Sequence, residues 1–179
     1  MFSNNKDRNK HRLDVAHYMR SGAPKMPGGE DKFHWALLVG PKIKDKTTRG
    51  RRFHAKESIL ASPIAWEYNE DETGTVQTLR LLTRAQIGKV KDMIVLEEIL
   101  RSVPIRAGAV EGWNCVACVR EVLEMVAKND VAMATAVLDW TTTKGVLSNA
   151  RLEGLKMVDD SGPNNIIGWS DEAVLPLVK

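Results

Sequence analysis

The chain of 179 residues contains only two cysteines, Cys115 and Cys118, which stand three positions apart. Two cysteines at that spacing on a helix are poorly placed to bond each other, so a disulfide framework is not expected. No hydrophobic run approaches the roughly 20 residues that would span a bilayer. The first twelve residues, MFSNNKDRNKHR, lack the apolar segment of a secretory signal. These absences predict an intracellular, cytoplasmic protein with reduced thiols.

The residues that are present indicate one globular unit. Apolar residues make up 43% of the chain, and the length is sufficient for one domain with a substantial core. Neither an internal repeat nor a second domain boundary is visible. We expect a flexible basic leader over residues 1–10 and a single domain over residues 11–179.

The net charge of +3 conceals an uneven distribution. Residues 1–56 carry fourteen Lys and Arg against five Asp and Glu, whereas the other residues carry twelve against eighteen. This asymmetry favours a basic face that meets phosphate in RNA, a nucleotide or a lipid headgroup. A solvated tail and loop would give the same distribution, so that alternative stays open.

The hydrophobic pattern predicts strands first and helices afterwards. HRLDVAHYMR, KFHWALLVG and RRFHAKES are typical of strands, and the second has two apolar faces, as expected of a central strand. Two further strand segments are predicted around an acidic turn at 71–74. VKDMIVLEEILRSVP and NCVACVREVLEM have helical spacing, as do VAMATAVLDW and TTKGVLSNARLEGLKMV, with an interruption near 141–144. DDSGPNNIIGW is predicted as a loop, and AVLPLVK as a short strand or docked tail. The expected class is α+β, with an antiparallel sheet packed against helices.

The stretch EGWNCVACVREVLEMV places Cys115 at the start of a helix. Asn114 is a good N-cap, so Cys115 would lie in the first turn. There the unpaired N–H groups and the helix dipole favour a thiolate and lower its pKa. The same N–H groups could bind the oxyanion of a tetrahedral intermediate. Cys118 lies almost a full turn further into the helix and is predicted to be a core residue.

A reactive thiol needs a proton acceptor, and the chain has four histidines, His11, His17, His34 and His54. His34 lies in the most apolar strand, where a lone histidine is as often a satisfied core residue as a catalyst. However, FHWALLVG is followed twenty residues later by RFHAKE, and NC opens a helix sixty-one residues after that.

This ordered pattern resembles the circularly permuted branch of the papain-like superfamily, typified by lecithin:retinol acyltransferase. Those relatives have a His-aromatic start to a strand that ends in glycine, as in HWALLVG, a polar residue on the next strand, and NC before a helix. The resemblance covers residues 12–127. It departs at Val116 and Ala117, where the animal acyltransferases have Glu-His, and no C-terminal membrane anchor is visible. FHWALLVGPK and NCVACVREVLE also resemble small intracellular fungal proteins, some of them tied to natural-product clusters.

The resemblance implies a permuted papain-like core and a cysteine-nucleophile acyl-transfer enzyme, either a transferase or an amidohydrolase, that acts through a covalent thioester. Cys115 would attack the acyl carbon, His34 would accept and return the proton, and His54 would orient His34. The predicted substrate-binding residues are Trp35, Trp113 and Asn114. No cofactor and no metal are expected, and the acyl donor, the acceptor and the oligomeric state are not identified.

Three other interpretations of the cysteines remain at this point. CVAC could be a redox pair, although strands rather than a βαβ unit precede it. Both cysteines with His34 and His54 would make four zinc ligands of acceptable type, although Val116 and Ala117 do not suit a zinc knuckle. Cys115 could also be a plain core residue.

A basic segment joins the two histidine strands, and its predicted nucleic-acid-binding residues are Lys42, Lys44, Lys46, Arg49, Arg51 and Arg52. A thiol enzyme with this surface could take an aminoacyl group from tRNA and form an amide, as small fungal enzymes that make cyclic dipeptides do. A non-catalytic RNA-binding or scaffold module is the alternative from another class. The acidic cluster Glu67, Glu70, Asp71 and Glu72 is predicted to be a solvated turn.

Overall fold

The computed structural model describes residues 10–42, 46–58, 65–75, 80–106, 110–158 and 166–167, with the backbone alone for 151–158 and 166–167. Within these ranges, six strands form one sheet in the order β4-β3-β2-β1-β5-β6. Neighbours are antiparallel, except that β6 runs parallel to β5. The strands are β1 (His11–Tyr18), β2 (His34–Pro41), β3 (Arg49–Ser58), β4 (Ala65–Gly74), β5 (Leu81–Lys89) and β6 (Ile166–Ile167).

Three helices follow β5 in the chain: α1 (Met93–Arg101), α2 (Cys115–Ala127) and α3 (Trp140–Val158). A short 3-10 turn, Glu30–Lys32, precedes β2. Asp92 caps α1 by accepting hydrogen bonds from the backbone N–H groups of Ile94 and Val95. The predicted α+β class is confirmed. No helix among the described residues is long and apolar enough to cross a membrane.

Alternation along the strands gives the sheet two different faces. One face, here called the helix face, packs against α2 through a single apolar core. Its buried members on the strands are Leu13, Val15, Trp35, Leu37, Val39, Phe53, Ala55, Ala85 and Ile87. The other face, here called the polar face, has a smaller apolar cluster of Ala16, Tyr18, Ala36 and Leu81. Beside that cluster lie charged and imidazole side chains, so the two faces offer different chemistry.

The pairing of β2 with β3 is short, and this positions the site. The two strands pair only from Leu37 opposite Phe53 to Val39 opposite Arg51. The first residues of β2 pair with β1, and β3 continues beside β4 as far as Ser58. A gap therefore opens between β2 and β3 at the end where both predicted catalytic histidines lie. Helix α2 packs against both strands.

The structure confirms β1, β2 and β3, with β2 central, and also α1 and α2. The predicted turn at 71–74 is wrong, because those residues belong to β4, whose acidic side chains lie opposite the basic residues of β3. The predicted helix over VAMATAVLDW is also wrong. Its backbone bonds to β5 instead, through Ala134 N–H to the Lys89 carbonyl and Leu138 N–H to the Ile87 carbonyl.

Three predictions concern the rest of the chain. Helix α3 runs without the interruption expected near 141–144, because Asp139 accepts hydrogen bonds at its start, one of them from Thr142 N–H. Ile166–Ile167 is a short strand beside β5 rather than a loop. Residues 1–9 of the predicted leader and AVLPLVK lie outside the described residues.

Candidate functional site

Helix α2 begins as predicted, with Asn114 as its N-cap. The Asn114 side chain accepts hydrogen bonds from the backbone N–H groups of Val116 (2.9 Å) and Ala117 (3.3 Å). Gly112, at a φ of 73°, supplies the left-handed turn that leads into this cap. The result is that Cys115 is the first helical residue, where N–H groups and the dipole favour negative charge.

The Cys115 sulfur is nevertheless fully buried in the core of the helix face. Burial raises the pKa of this thiol, and it outweighs the backbone N–H groups of Trp35, Cys115 and Val116, which act to lower it. The expected lowering of the pKa by the helix start is therefore wrong, because desolvation is the larger effect. Cys118 is buried as predicted, and burial raises its pKa to about 12.

The two predicted catalytic histidines meet on the polar face. His34 Nε2 lies 2.6 Å from His54 Nδ1, where β2 and β3 no longer pair. Burial lowers the pKa of His34 to about 4, helped by the charges of Arg52 and Arg20. Burial, followed by the neighbouring His34 and by Arg52, lowers the pKa of His54 to about 3. Both imidazoles are therefore neutral at pH 7.

The thiol and the imidazoles project from opposite sides of the sheet. Phe33 and Trp35 both pack with the core of the helix face, so the intervening His34 points to the polar face. The same alternation applies to His54, which lies between Phe53 and Ala55. Among the hydrogen bonds of the described residues, none joins Cys115 to His34 or His54. The predicted thiol–imidazole contact is therefore not made in this conformation.

The sulfur is still close to the strand that carries His34. The backbone N–H of Trp35, the next residue, is directed at the Cys115 thiol and acts to lower its pKa. The charge of Arg20 lowers the pKa of both Cys115 and His34, so this guanidinium lies within electrostatic range of both. Its side chain is held by the Asp31 carbonyl and the Glu57 carboxylate, each at 3.0 Å.

Sequence reasoning missed a polar network on β4. Asn69 Nδ2 lies 3.2 Å from His54 Nε2 and 3.2 Å from Asp71 Oδ2. Asp71 also accepts from Arg52, at 2.9 Å from Nε and 2.5 Å from a terminal nitrogen. The Arg52 guanidinium lies 4.9 Å from the centre of the Tyr18 ring. The available signal was that Asn69 and Asp71, two positions apart on one strand, share a face. Only the register of β4 on β3 shows that their partners are His54 and Arg52.

The remaining strand histidine, His17, has no predicted role. It lies on the helix face, 2% exposed, stacked on Phe33 at 5.1 Å and edge-on to Trp35 at 4.2 Å between ring centroids. Its place in the alternation Leu13, Val15, His17 was the signal for this position.

Part of the basic segment is paired with carboxylates. Arg51 forms ion pairs with Glu70 and Glu97, and Arg52 is taken by Asp71. The acidic residues of β4 are thus partners of β3 rather than the predicted solvated turn. The exposed cations of the segment are Lys42, Lys46 and Arg49, and Lys44 lies outside the described residues. Arg51 and Arg52 have carboxylate partners within the protein, and the predicted phosphate binding by the six cations stays a prediction, as do the RNA and aminoacyl-tRNA hypotheses.

A cavity of about 220 Å³ adjoins the start of α2. Its lining includes Met26, Glu30, Trp113, Asn114, Val116 and Trp140. Two of the three predicted substrate-binding residues, Trp113 and Asn114, are therefore at this cavity. The third, Trp35, is buried against Trp140, with ring centroids 5.1 Å apart, and donates from Nε1 to the Glu30 carbonyl at 2.8 Å.

The zinc interpretation requires cysteines and histidines to converge. Cys115 and Cys118 lie in the core of the helix face, both as free thiols, whereas His34 and His54 lie on the polar face. Within the described part of the chain, no group of three or more His, Cys, Asp or Glu side chains is arranged to hold a metal ion.

Comparison with known proteins places the chain in a family without assigning it a reaction. Residues 10–149 match the Family of unknown function (DUF6914), and this protein belongs to that family. No curated protein and no solved structure matches the chain significantly.

Proposed function

We propose that this protein is a cysteine-nucleophile acyl-transfer enzyme with a permuted papain-like core, in which Cys115 forms a covalent thioester. The observation that carries the proposal is the 2.6 Å contact between His34 and His54. Trp35, the residue after His34, directs its backbone N–H at the Cys115 thiol. Nucleophilic acyl transfer uses a base held by a third polar group and a nucleophile at a helix N-terminus, and here these two parts extend from opposite sides of the sheet in the conformation described.

The charge states support general-base catalysis rather than a preformed ion pair. Burial keeps the pKa of His34 near 4 and raises the pKa of Cys115, so the imidazole and the thiol are both neutral at pH 7. A neutral imidazole can accept a proton, and a thiol that keeps its proton is protected from oxidation at rest. The thiol would then lose its proton only as it attacks.

The chemical sequence uses one proton and one leaving group. As Sγ of Cys115 bonds to the acyl carbon, its proton passes to His34, and the N–H of Cys115 is the candidate donor to the oxyanion. The imidazolium then gives the proton to the leaving group as its bond to the acyl carbon breaks. The acyl group remains on Cys115 as a thioester. Water, an amine or an alcohol then gives up a proton to His34, attacks the thioester and restores the thiol.

The cavity at the start of α2 supports this placement of the acyl group, because Asn114 and Val116 flank Cys115 and line it. The conformation described is a closed one, since the sulfur is fully buried. Reaction requires a movement that opens the sulfur to the cavity and brings it within hydrogen-bond distance of His34.

Acylation by an activated ester tests the proposal. The purified protein is incubated with p-nitrophenyl acetate, and peptide mass spectrometry locates the acetyl group. We expect Cys115 to be acylated, and His34→Ala to slow this by about 100-fold or more. Cys118→Ala is the matched control, because both cysteines are buried and three residues apart, and it should acylate normally. Equal slow acylation of both cysteines, unchanged by His34→Ala, would refute the proposal.

A further inference from the structure

The network on the polar face connects four side chains in a definite order. Asp71 Oδ2 lies 3.2 Å from Asn69 Nδ2, and that same nitrogen lies 3.2 Å from His54 Nε2. His54 Nδ1 then lies 2.6 Å from His34 Nε2. Each contact needs one donor and one acceptor, so fixing the first fixes all of them.

The carboxylate fixes the first contact. An ionised carboxylate only accepts hydrogen bonds, and Arg52 helps to keep Asp71 ionised because its hydrogen bond and charge lower the pKa of that carboxyl. The Asn69 atom facing Asp71 must therefore be the NH₂ group, since the amide oxygen there would set two acceptors against each other. The second N–H of this group is the one available to His54 Nε2.

The imidazoles follow from this direction. His54 accepts a hydrogen bond at Nε2, so its single proton is on Nδ1, which donates to His34 Nε2. His34 accepts at Nε2, so its own proton is on Nδ1. Both rings carry one proton at neutral pH because burial keeps the pKa of each at about 4 or below.

We propose that Asn69 is a positioning residue that sets the tautomer of both histidines and holds His34 with its proton on Nδ1. Nε2 of His34 is occupied by His54, so Nδ1 is the nitrogen left to exchange a proton with a thiol. A ring nitrogen that already carries a proton has no lone pair with which to accept another. The resting arrangement therefore withholds the base from Cys115.

A half-turn of the Asn69 amide would reverse the direction. The amide oxygen would then accept from His54 Nε2–H, His54 Nδ1 would accept from His34 Nε2–H, and His34 Nδ1 would be left with a lone pair. The half-turn separates the NH₂ group from Asp71, which gives the resting orientation its preference. Regulation of the proposed thiol chemistry would act through this amide, and that part of the inference rests on the proposed function.

The first experiment needs no activity. In protein carrying ¹⁵N-labelled histidine, the nitrogen chemical shifts distinguish a protonated ring nitrogen from one with a lone pair. We expect wild-type His34 and His54 both to be protonated on Nδ1, with assignments from His34→Gln and His54→Gln. Protonation on Nε2 in either ring of the wild type overturns the inference.

Asn69→Asp made together with Asp71→Asn reverses the direction of the hydrogen bonds, because the carboxylate at position 69 can only accept from His54 Nε2–H and the amide at position 71 can donate to that carboxylate. We expect both rings to change to the Nε2 tautomer, whereas Asn129→Asp, a remote residue whose side-chain oxygen accepts from Val131 and Ala132 N–H, leaves them unchanged. A folded Asn69→Asp, Asp71→Asn protein with unchanged tautomers overturns the inference. Should that variant fail to fold, the wild-type spectrum still decides.

The second experiment addresses regulation. With His34 Nδ1 free to accept, acetylation of Cys115 in the Asn69→Asp, Asp71→Asn protein should be about tenfold faster than in the wild type. A reversed tautomer without faster acetylation overturns the regulatory role while leaving the assignment of Asn69 intact. If Cys115 in the wild type is not acylated at all, the proposed function fails, and the tautomer measurement is unaffected.

Discussion

The two faces of the sheet are built from the same strands, and burial shifts the pKa values of their ionisable groups in opposite directions. On the helix face, the apolar core encloses Cys115 and Cys118, and burial raises the pKa of both thiols. On the polar face, burial lowers the pKa of His34 and His54, although ion pairs and amides lie around them. In each case desolvation favours the neutral form, so the site at rest holds an uncharged thiol and uncharged imidazoles.

This difference shows how the thiol and the imidazoles can lie near the same strand, β2, and still project from opposite sides of the sheet. The gap between β2 and β3 is not closed by strand pairing, so the sheet is interrupted between its two faces at this end. Trp35 N–H is directed at the sulfur, while the preceding His34 points the other way. A small movement at this end of the sheet would change the contacts of both faces.

The largest effect we expect is a loss of stability in acid that originates on the polar face. In the unfolded chain a histidine has a pKa near 6.5, whereas the folded pKa values are about 4 for His34 and about 3 for His54. The unfolded state therefore binds more protons below pH 6.5. Stability is retained above that pH and falls as the pH decreases toward 4, by about 1.4 kcal/mol per pH unit for each imidazole.

Urea unfolding between pH 7 and pH 4 measures this loss. His34→Gln with His54→Gln is the matched variant, because it keeps polar side chains and removes both titrating groups. The slope of its free energy of unfolding against pH should be smaller than that of the wild type, by an amount that corresponds to up to two bound protons. Equal slopes in the two proteins would mean that the polar face does not keep its imidazoles neutral.

Some of this was open to prediction from the sequence. The strands β1, β2 and β3 and the helices α1 and α2 have clear periodicity, and the cap at Asn114 follows from residue type alone. The strand over 71–74 and the non-helical segment over 131–139 were not predictable from local pattern, because partners distant in the chain stabilise them. Carboxylates of β4 face guanidinium groups of β3, and β5 supplies backbone partners for 134–138.

The candidate site was also only partly predictable from the sequence. Motif order correctly placed His34 near His54, but no local signal reports that burial would outweigh the helix dipole at Cys115. Strand alternation did place Phe33 and Trp35 on the face opposite His34. That α2 and Cys115 pack on the face of Phe33 and Trp35 could be known only from the folded structure. Asn69 could be found only from the register of β4 against β3.

A second test concerns the buried ion pair on the polar face. Asp14 Oδ2 lies 3.5 Å from the Arg84 guanidinium, and each side chain is 2% exposed. Removing one buried charge leaves the other without its counter-charge, so Arg84→Met should lower the free energy of unfolding by about 3–5 kcal/mol. Arg84→Met combined with Asp14→Leu makes this region resemble the helix face and should recover most of that loss. Urea unfolding at pH 7 measures both, and a double variant as unstable as the single one would contradict this account.

The smallest effect is expected at the helix start that bears the thiol. Asn114→Ala removes the acceptor for Val116 and Ala117 N–H and should cost about 1 kcal/mol in the free energy of unfolding. If Cys115 is reached through local opening of this turn, the same energy makes opening about fivefold more frequent, and iodoacetamide should label Cys115 about fivefold faster.

Asp92→Ala provides the comparison, because Asp92 caps α1 in the same way but lies away from the thiol. It should cost a similar amount of stability and leave the labelling rate of Cys115 unchanged. Faster labelling in both variants would show that the thiol is exposed only by global unfolding, and the helix face would then have no local route to its sulfur. Faster labelling in Asn114→Ala alone assigns the opening to the first turn of α2, where the cavity begins.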